Sequence, residues 1–225
     1  MNRSPAYAGF LAVTPVLIGV FPFGVIAGIA AVEAGLDSIQ AYAVSPIVFA
    51  GAAQLAMMDL LARDAAPVVI VATALVINSR MAMYSAGLAP VFRDLGPLQK
   101  AYGSFIITDQ SFAVAVVRFD QVDESLADRF SYFMGASMGM FVTWQIASII
   151  GVVVGAGVPD SWQLDFAIPL VFTALLVPAI KDRGTVIAAG VGAITAVLFI
   201  GLPLHLGLLA ASAVAIIAGA IGGRS

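Results

Sequence analysis

The residues best placed to do chemistry in this sequence are two charges that stand inside long apolar runs. Arg80 is the only charged residue in the run 66–92, and Asp109, in the stretch ITDQSF at 107–112, is the only acid set deep in an apolar segment. An arginine can hold a carboxylate with two parallel hydrogen bonds, and an aspartate can attract an ammonium group or carry a proton. The pair could therefore hold both charges of a zwitterion, or the two residues could only bind each other.

Uncharged polar residues accompany these two charges. Asn78, Thr108 and Gln110 are close neighbours of the pair in sequence, and Gln54 follows the small residues that begin at Gly51. Small residues let helices approach closely, and an amide can hydrogen-bond across such a contact. Gln54 is therefore either an interhelical hydrogen-bonding group or part of a cavity wall.

The composition indicates what surrounds these polar groups. The chain has 225 residues, of which 61% are hydrophobic and 10% are charged, with a mean hydropathy of +1.05. A soluble domain carries about 25% charged residues, so the sequence predicts a polytopic membrane protein without a soluble domain. At a rise of ~1.5 Å per residue, Arg80 lies roughly 20 Å from Pro67, inside a hydrocarbon core ~30 Å thick. A charge at that depth is costly and indicates a functional site.

The sequence lacks the residues on which several classes of protein function depend. The absence of cysteine excludes disulfides and Cys-ligated metals. We see no metal-ligand cluster, phosphate-binding loop, nucleophile elbow or basic nucleic-acid patch, so no cofactor, nucleic acid or enzymatic activity is expected. The single histidine, His205, follows Pro203 in a tight turn and is either a polar turn residue or a proton relay.

The fold class predicted is an all-α transmembrane bundle of seven or eight spans within one domain, 1–225. Proline, glycine and charge clusters separate the apolar segments. These segments are 7–32, 39–61, 66–92, 101–118, 130–157, 163–180, 184–203 and 205–222.

The first segment predicts a broken helix. Thr14, Pro15, Pro22 and Gly24 lie within it, and each proline removes a backbone donor. A broken helix would free backbone groups to line a substrate site, whereas the alternative is a kinked helix that only packs.

Glycine pairs and an internal match indicate close packing and a repeat. GxxxG spacings predict close helix contacts at Gly24/Gly28, Gly135/Gly139 and Gly151/Gly155. A shift of about 123 residues aligns Pro46 with Pro169 and Gly28 with Gly151, which suggests repeat units of about 7–118 and 130–222. Whether the repeats would be parallel or inverted stays open.

Orientation follows from the basic residues. With the N-terminus in the cytoplasm, seven cations fall on cytoplasmic segments, whereas Arg93 and Lys100 fall outside as exceptions. The seven are Arg3, Arg63, Arg118, Arg129, Lys181, Arg183 and Arg224. Asp59 and Arg63, four residues apart, are expected to form a solvated pair.

The sequence resembles the AzlC family of bacterial membrane proteins. The resemblance rests on TPVLIGVFPFG, SPIVFAGAAQ, NSRMAMYS, ITDQSFA and DFAIPLVFTALLVP, which occur in the family's order. It implies a plasma-membrane exporter of branched-chain or similar apolar amino acids, driven by an ion gradient and dependent on a small multi-span AzlD-type subunit. Met81 and Gln110 stand where a histidine and an acid are common in the family, so these two positions carry no titratable group here.

Two hypotheses follow. In the first, the protein is a secondary transporter in which Arg80 binds the substrate carboxylate and Asp109 binds the ammonium or a coupling proton, with Phe23, Phe49 and Met81 along the apolar side chain. In the second, it is a passive channel or an assembly subunit, and the two charges form a purely structural ion pair. An oligomer is compatible with either hypothesis.

Overall fold

The computed structural model describes residues 4–157, 180, 182–201 and 206–223, and these residues form helices without a strand. The predicted all-α bundle is confirmed for this part of the chain. Its helices are α1 Pro5–Glu33, α2 Ser38–Ile47, α3 Gly51–Ala62, α4 Pro67–Leu88, α5 Pro97–Phe105, α6 Asp109–Gln121, α7 Leu126–Gly155, α8 Arg183–Leu198 and α9 Gly207–Gly222.

Three of these helices, α1, α4 and α7, are long and apolar enough to cross a bilayer. They contain 29, 22 and 30 residues. At ~1.5 Å per residue, even the shortest of them reaches about 33 Å, which exceeds a hydrocarbon core of ~30 Å. The described residues are therefore those of a multi-pass helical membrane protein.

The first helix is continuous, and the predicted break within it is wrong. Pro15 and Pro22 both lie inside α1. The two prolines are exposed, whereas Val13 and Val20 on the same helix are buried in the core. The rings thus point away from the packed face, and burial of that face holds the helix together despite the lost hydrogen bonds.

Helices α1 and α7 pack side by side in the same direction. Gly9 lies against the backbone of Tyr132, and Gly28 lies against Gly151. Early residues of α1 meet early residues of α7, and late residues meet late ones, so the helices are parallel. The contacts predicted from the GxxxG spacings are confirmed, since the six glycines contact the facing helix at Ala6, Phe10, Gly28, Ile29, Ala147 and Gly151. The bundle end that holds the first turns of α1 and α7 is here called the near end, and the opposite one the far end.

Helix α4 runs the other way. The ring of Phe92, just beyond α4, lies 5.7 Å from that of Phe130 and 5.9 Å from that of Phe119. Leu88 belongs to the same buried cluster as Tyr132, against which Ala8 packs. The last turn of α4 is therefore at the near end.

Helix α2 enters the bundle from the far end and stops midway. Ala41 is buried in one cluster with Val152, and the Ser45 hydroxyl donates to the Ser148 hydroxyl at 3.0 Å. The ring of Phe49 lies 5.0 Å from that of Phe141. Because these contacts move backwards along α7, α2 is antiparallel to α7.

Helix α3 then returns to the far end. At its start Ala53 packs with Ala74, and near its end Leu60 packs with Val69. Helix α3 is thus antiparallel to α4. The prediction that 39–61 crosses the membrane once is wrong. This segment forms two half-length helices, α2 and α3, joined by residues 48–50, which enter and leave at the same end and are here called a re-entrant pair.

The fourth predicted span, 101–118, is corrected in the same way. Helix α5 starts at the near end, where the Lys100 ammonium donates to the Arg93 carbonyl at 2.7 Å. Helix α6 returns there: Tyr84 stacks on Phe112 with ring centres 4.7 Å apart, and further along Phe92 meets Phe119. This second re-entrant pair turns at 106–108. Length and hydropathy could not distinguish either pair from a span, because both arms are apolar.

The two re-entrant pairs are inverted copies of one arrangement. Helix α2 begins at Ser38 and α5 begins 59 residues later, at Pro97. Helices α4 and α7 begin at Pro67 and Leu126, which are also 59 residues apart. Each unit consists of a re-entrant pair followed by a spanning helix. The chain enters the first unit from the far end and the second unit from the near end. The predicted 123-residue repeat stays a prediction, and most of its second unit's segment 163–180 lies outside the described residues. His205 lies outside them as well.

Helices α8 and α9 follow as the predicted seventh and eighth segments. They pack against each other in antiparallel fashion, with Gly184 near Gly219 and Gly192 near Ala215. Each has 16 residues, fewer than the ~20 that a perpendicular span needs.

Candidate functional site

The turns of the two re-entrant pairs meet beside the middle of α4 and line an open cavity of about 380 Å³. This central cavity falls within the usual size range of small-molecule pockets, about 300–1,000 Å³. Its wall is mainly apolar, with Asn78 and Ser104 as the polar members. It is lined by Ile47, Val48, Phe49, Ala50, Met57, Val71, Ala74, Leu75, Asn78, Met81, Ser104, Phe105 and Ile107.

The predicted pairing of Arg80 with Asp109 is present in the structure. One guanidinium nitrogen of Arg80, Nη1, donates to Oδ2 of Asp109 at 2.7 Å. The side chains are 33% and 36% exposed. Neither residue lines the central cavity itself, but Asn78 and Met81 on the same turn of α4 do. The ion pair therefore borders the cavity instead of lying within it.

The second re-entrant pair places Asp109 at its turn. Thr108 is the N-cap of α6: its hydroxyl accepts from the Ser111 amide at 3.2 Å, and its own amide donates to the Ser111 hydroxyl at 2.9 Å. Asp109 is the first residue of α6, where the helix dipole favours negative charge. Thus Asp109 lies at a helix start near mid-bundle, not within a continuous span.

Several polar atoms here are buried and have no hydrogen-bond partner in the described part of the chain. They are Nε of Arg80, Oδ1 of Asp109 and Oδ1 of Asn78. Buried polar groups are normally paired, so these atoms provide one donor and two acceptors for a ligand or water. Tyr84 is a residue that sequence reasoning missed; its hydroxyl interacts electrostatically with both charges.

Gln54 stabilises the other turn. Its side-chain amide donates to the carbonyl of Val48 and, at 3.4 Å, to that of Ser45. These carbonyls lie where α2 ends, and Ala50 has a β-region backbone with φ −158° and ψ 98°. The amide thus hydrogen-bonds backbone groups that the interruption leaves free, which is a third role beside the two that the sequence left open.

The other predicted site residues lie elsewhere. Thr14, Pro15 and Pro22 are exposed on α1, and the Thr14 hydroxyl donates to the Phe10 carbonyl at 3.0 Å. Gly24 is buried against Ala147. The structure brings these four residues neither to the cavity nor to the ion pair.

Of the remaining predicted residues, Gly51 begins α3 and packs against Phe23 and Trp144. Gln110 is half-buried beside Asp109 and does not line the cavity. Of the predicted apolar wall, Phe49 and Met81 line the cavity and Phe23 does not.

Ser104 and Ile107 are lining residues that the sequence interpretation missed, although a signal for them exists. The tetrapeptides Ser45-Pro46-Ile47-Val48 and Ser104-Phe105-Ile106-Ile107 resemble each other and are 59 residues apart. They contain or adjoin the two turns. Comparison of segments within the first half of the chain would have paired them.

The placement of Arg93 and Lys100 also differs from the prediction. Both lie at the near end together with Arg118, which contacts Tyr132, whereas Arg63 lies at the far end before α4. The exception at Arg93 and Lys100 disappears, because 101–118 does not cross, and Arg63 becomes the exception in its place. Arg63 donates to Asp59 at 2.9 Å, which confirms that predicted pair.

Spanning helices, inverted re-entrant pairs and a polar site at their meeting point define a multi-pass helical membrane protein. No three His, Cys, Asp or Glu residues of the described chain converge as a metal site. A sequence model of the AzlC protein family matches residues 15–158. The chain belongs to the AzlC family, and this membership supports a role in membrane transport.

The relatives are membrane proteins as well. The chain is 27% identical over 213 residues to an uncharacterised membrane protein of Archaeoglobus fulgidus, covering 93% of this chain and 88% of the relative. It is 24% identical over 197 residues to the inner membrane protein YgaZ of Escherichia coli, covering 84% and 80%. A membrane protein of Helicobacter pylori is 24% identical over 188 residues, covering 83% and 81%. No solved structure matches the chain.

Proposed function

We propose that this protein is a secondary transporter that exports branched-chain or similar apolar amino acids, driven by an ion gradient. The observation that carries the proposal is the meeting of two inverted re-entrant pairs beside a charged pair with unsatisfied atoms. Interrupted helices that approach from opposite ends and surround a mid-membrane site are typical of secondary transporters.

The substrate would use both charges. Arg80 already donates through Nη1 to Asp109, and its unpaired Nε is available to a carboxylate. The unpaired Oδ1 of Asp109 is available to an ammonium group or a proton. A branched side chain would then lie in the apolar part of the central cavity, against Phe49 and Met81.

The second candidate is a channel or an assembly subunit in which the ion pair is purely structural. The observation that favours it is the direct 2.7 Å bond between Arg80 and Asp109, since each charge already has a partner without substrate. A channel would show flux that follows the substrate gradient alone, and this flux would be insensitive to uncouplers.

Location and partner are part of the proposal. Four cations lie at or beside the near end, namely Arg93, Lys100, Arg118 and Arg129, and Arg63 lies at the far end. By the positive-inside rule this distribution supports a cytoplasmic near end and a cytoplasmic N-terminus. The membrane would be a bacterial plasma membrane. The family resemblance further suggests a small multi-span AzlD-type subunit, for which exposed apolar residues such as Val76 and Met83 of α4 offer a surface.

Counterflow in proteoliposomes tests the proposal. Proteoliposomes that contain the protein, with or without the small subunit, are loaded with each of the twenty amino acids in turn. The exchange of external labelled leucine for the internal amino acid is then followed. We expect exchange with leucine, isoleucine and valine but not with glutamate or lysine. Absence of saturable exchange under both conditions, or exchange without preference for apolar side chains, would contradict it.

A further inference from the structure

A second cavity of about 510 Å³ lies at the near end, between the end of α4, helix α5 and the first turns of α7. It borders the central cavity, because Ser104 and Ile107 line both. Its apolar wall includes Leu88, Phe92, Phe130 and Phe133. The volume is within the range of small-molecule sites.

Two cations, Arg93 and Lys100, line the edge of this near-end cavity. Both are exposed, and neither takes part in an ion pair with a carboxylate of the described residues. The Lys100 ammonium bonds the Arg93 carbonyl, which brings the two residues together and leaves two of its N–H groups for another acceptor. No acidic residue is among the lining residues.

We propose that the near-end cavity binds an apolar molecule that carries one carboxylate and no ammonium group. Arg93 and Lys100 hold the carboxylate, and the phenylalanines surround a branched tail. The cavity offers an ammonium group no anionic partner, unlike the central site with Asp109. It therefore prefers an acid without an amino group to the corresponding amino acid. Because binding is measured on the purified protein, the proposal does not depend on transport.

Isothermal titration calorimetry with 4-methylpentanoate tests this site, using 4-methylpentanamide as the uncharged ligand of the same shape. We expect saturable binding of the acid and binding of the amide weaker by at least about tenfold, as loss of a charged hydrogen bond predicts. The Arg93→Gln/Lys100→Gln variant should lose a similar factor. Equal binding of acid and amide, or wild-type affinity in that variant, would overturn the proposal.

Further variants separate this site from a general loss of structure. Ala101→Trp keeps both cations and fills the cavity from α5, so it should also abolish binding of the acid. Arg183→Gln is the matched control, because Arg183 is exposed and lines neither of these two cavities. Arg80→Gln should leave binding of the acid unchanged. Wild-type binding in Ala101→Trp, or loss of binding in Arg183→Gln, would contradict the assignment.

A lipid head group could supply the same anionic chemistry. Titrations in nanodiscs of phosphatidylcholine and of phosphatidylglycerol distinguish the two sources. We expect the acid to bind equally in both lipids. If phosphatidylglycerol displaces it and phosphatidylcholine does not, the occupant is an anionic lipid, and the assignment to a soluble acid is overturned.

Discussion

Arg80 and Asp109 meet through a single 2.7 Å hydrogen bond and leave Nε of the arginine and Oδ1 of the aspartate without partners. A purely structural Arg–Asp pair gains most from two parallel bonds. The one-bond geometry keeps one donor and one acceptor available at the turn of the second re-entrant pair. This arrangement allows a zwitterion to bind without first breaking the pair.

The first prediction concerns the shape of the arginine. Arg80→Lys should lower the kcat/KM of amino-acid efflux by about 10- to 100-fold, because an ammonium cannot contact Asp109 and a substrate carboxylate as a planar fork can. Efflux is measured from proteoliposomes at matched protein content. Arg63→Lys changes an exposed arginine paired with Asp59 and should leave efflux unchanged. Wild-type efflux by folded Arg80→Lys protein would remove Arg80 from the proposed site.

The second prediction separates a substrate role from a structural one. In the double exchange Arg80→Asp/Asp109→Arg the two charges can still attract each other, but a carboxylate replaces the guanidinium on α4. If the pair binds substrate, the double variant should fold, as judged by gel filtration and thermal unfolding, and fail to transport. Recovery of efflux in the double variant after its loss in each single variant would instead favour a structural pair.

Sequence alone predicted the helical membrane class, close helix contacts at the GxxxG glycines, and the pairing of Arg80 with Asp109, whereas the structure shows that these glycines join α1 to α7. These predictions succeed because the cost of a buried charge and the close approach of glycines are local properties. From the sequence, the broken helix is expected at Pro15 and Pro22. In the structure, the chain reverses direction near Pro46 and at Thr108 instead. Proline shows where a helix is weakened; whether it breaks depends on packing, which holds α1 continuous on its buried face, and on groups such as Gln54 that bind the freed carbonyls.

The third prediction tests the support of the first turn. Gln54→Leu removes the donor to the Ser45 and Val48 carbonyls and should lower the free energy of unfolding by about 1–3 kcal/mol. Gln110→Leu is the matched amide change, since Gln110 forms no hydrogen bond within the described ranges, and should shift stability by less than about 0.5 kcal/mol. Denaturant unfolding in mild detergent measures both. Equal stability of the two variants would show that the turn does not depend on Gln54.

The fourth prediction concerns the seam between α1 and α7. A methyl group at position 28 would overlap the Ser148 carbonyl and the backbone at Gly151. Gly28→Ala should therefore destabilise the protein by about 1–3 kcal/mol through overpacking. At Gly19 an added Cβ meets nothing within 4 Å, so Gly19→Ala should leave stability unchanged or raise it by up to about 1 kcal/mol. A smaller loss of stability in Gly28→Ala than in Gly19→Ala would contradict the close contact between α1 and α7 at Gly28.

The last prediction tests the re-entrant pairs directly. The protein lacks cysteine, so single cysteines report their own exposure to an impermeant maleimide. If segment 101–118 crossed the membrane once, positions 100 and 123 would lie on opposite sides of the membrane. In the structure α5 and α6 return to the same end, so Lys100→Cys and Asp123→Cys should be labelled from one side and Asp64→Cys from the other. Labelling is compared in intact cells and inverted vesicles, with Thr73→Cys, which replaces a buried residue of α4, as a reference that should react slowly from both sides. Opposite labelling of positions 100 and 123 would overturn the second re-entrant pair, and with it the inverted arrangement that forms the central cavity.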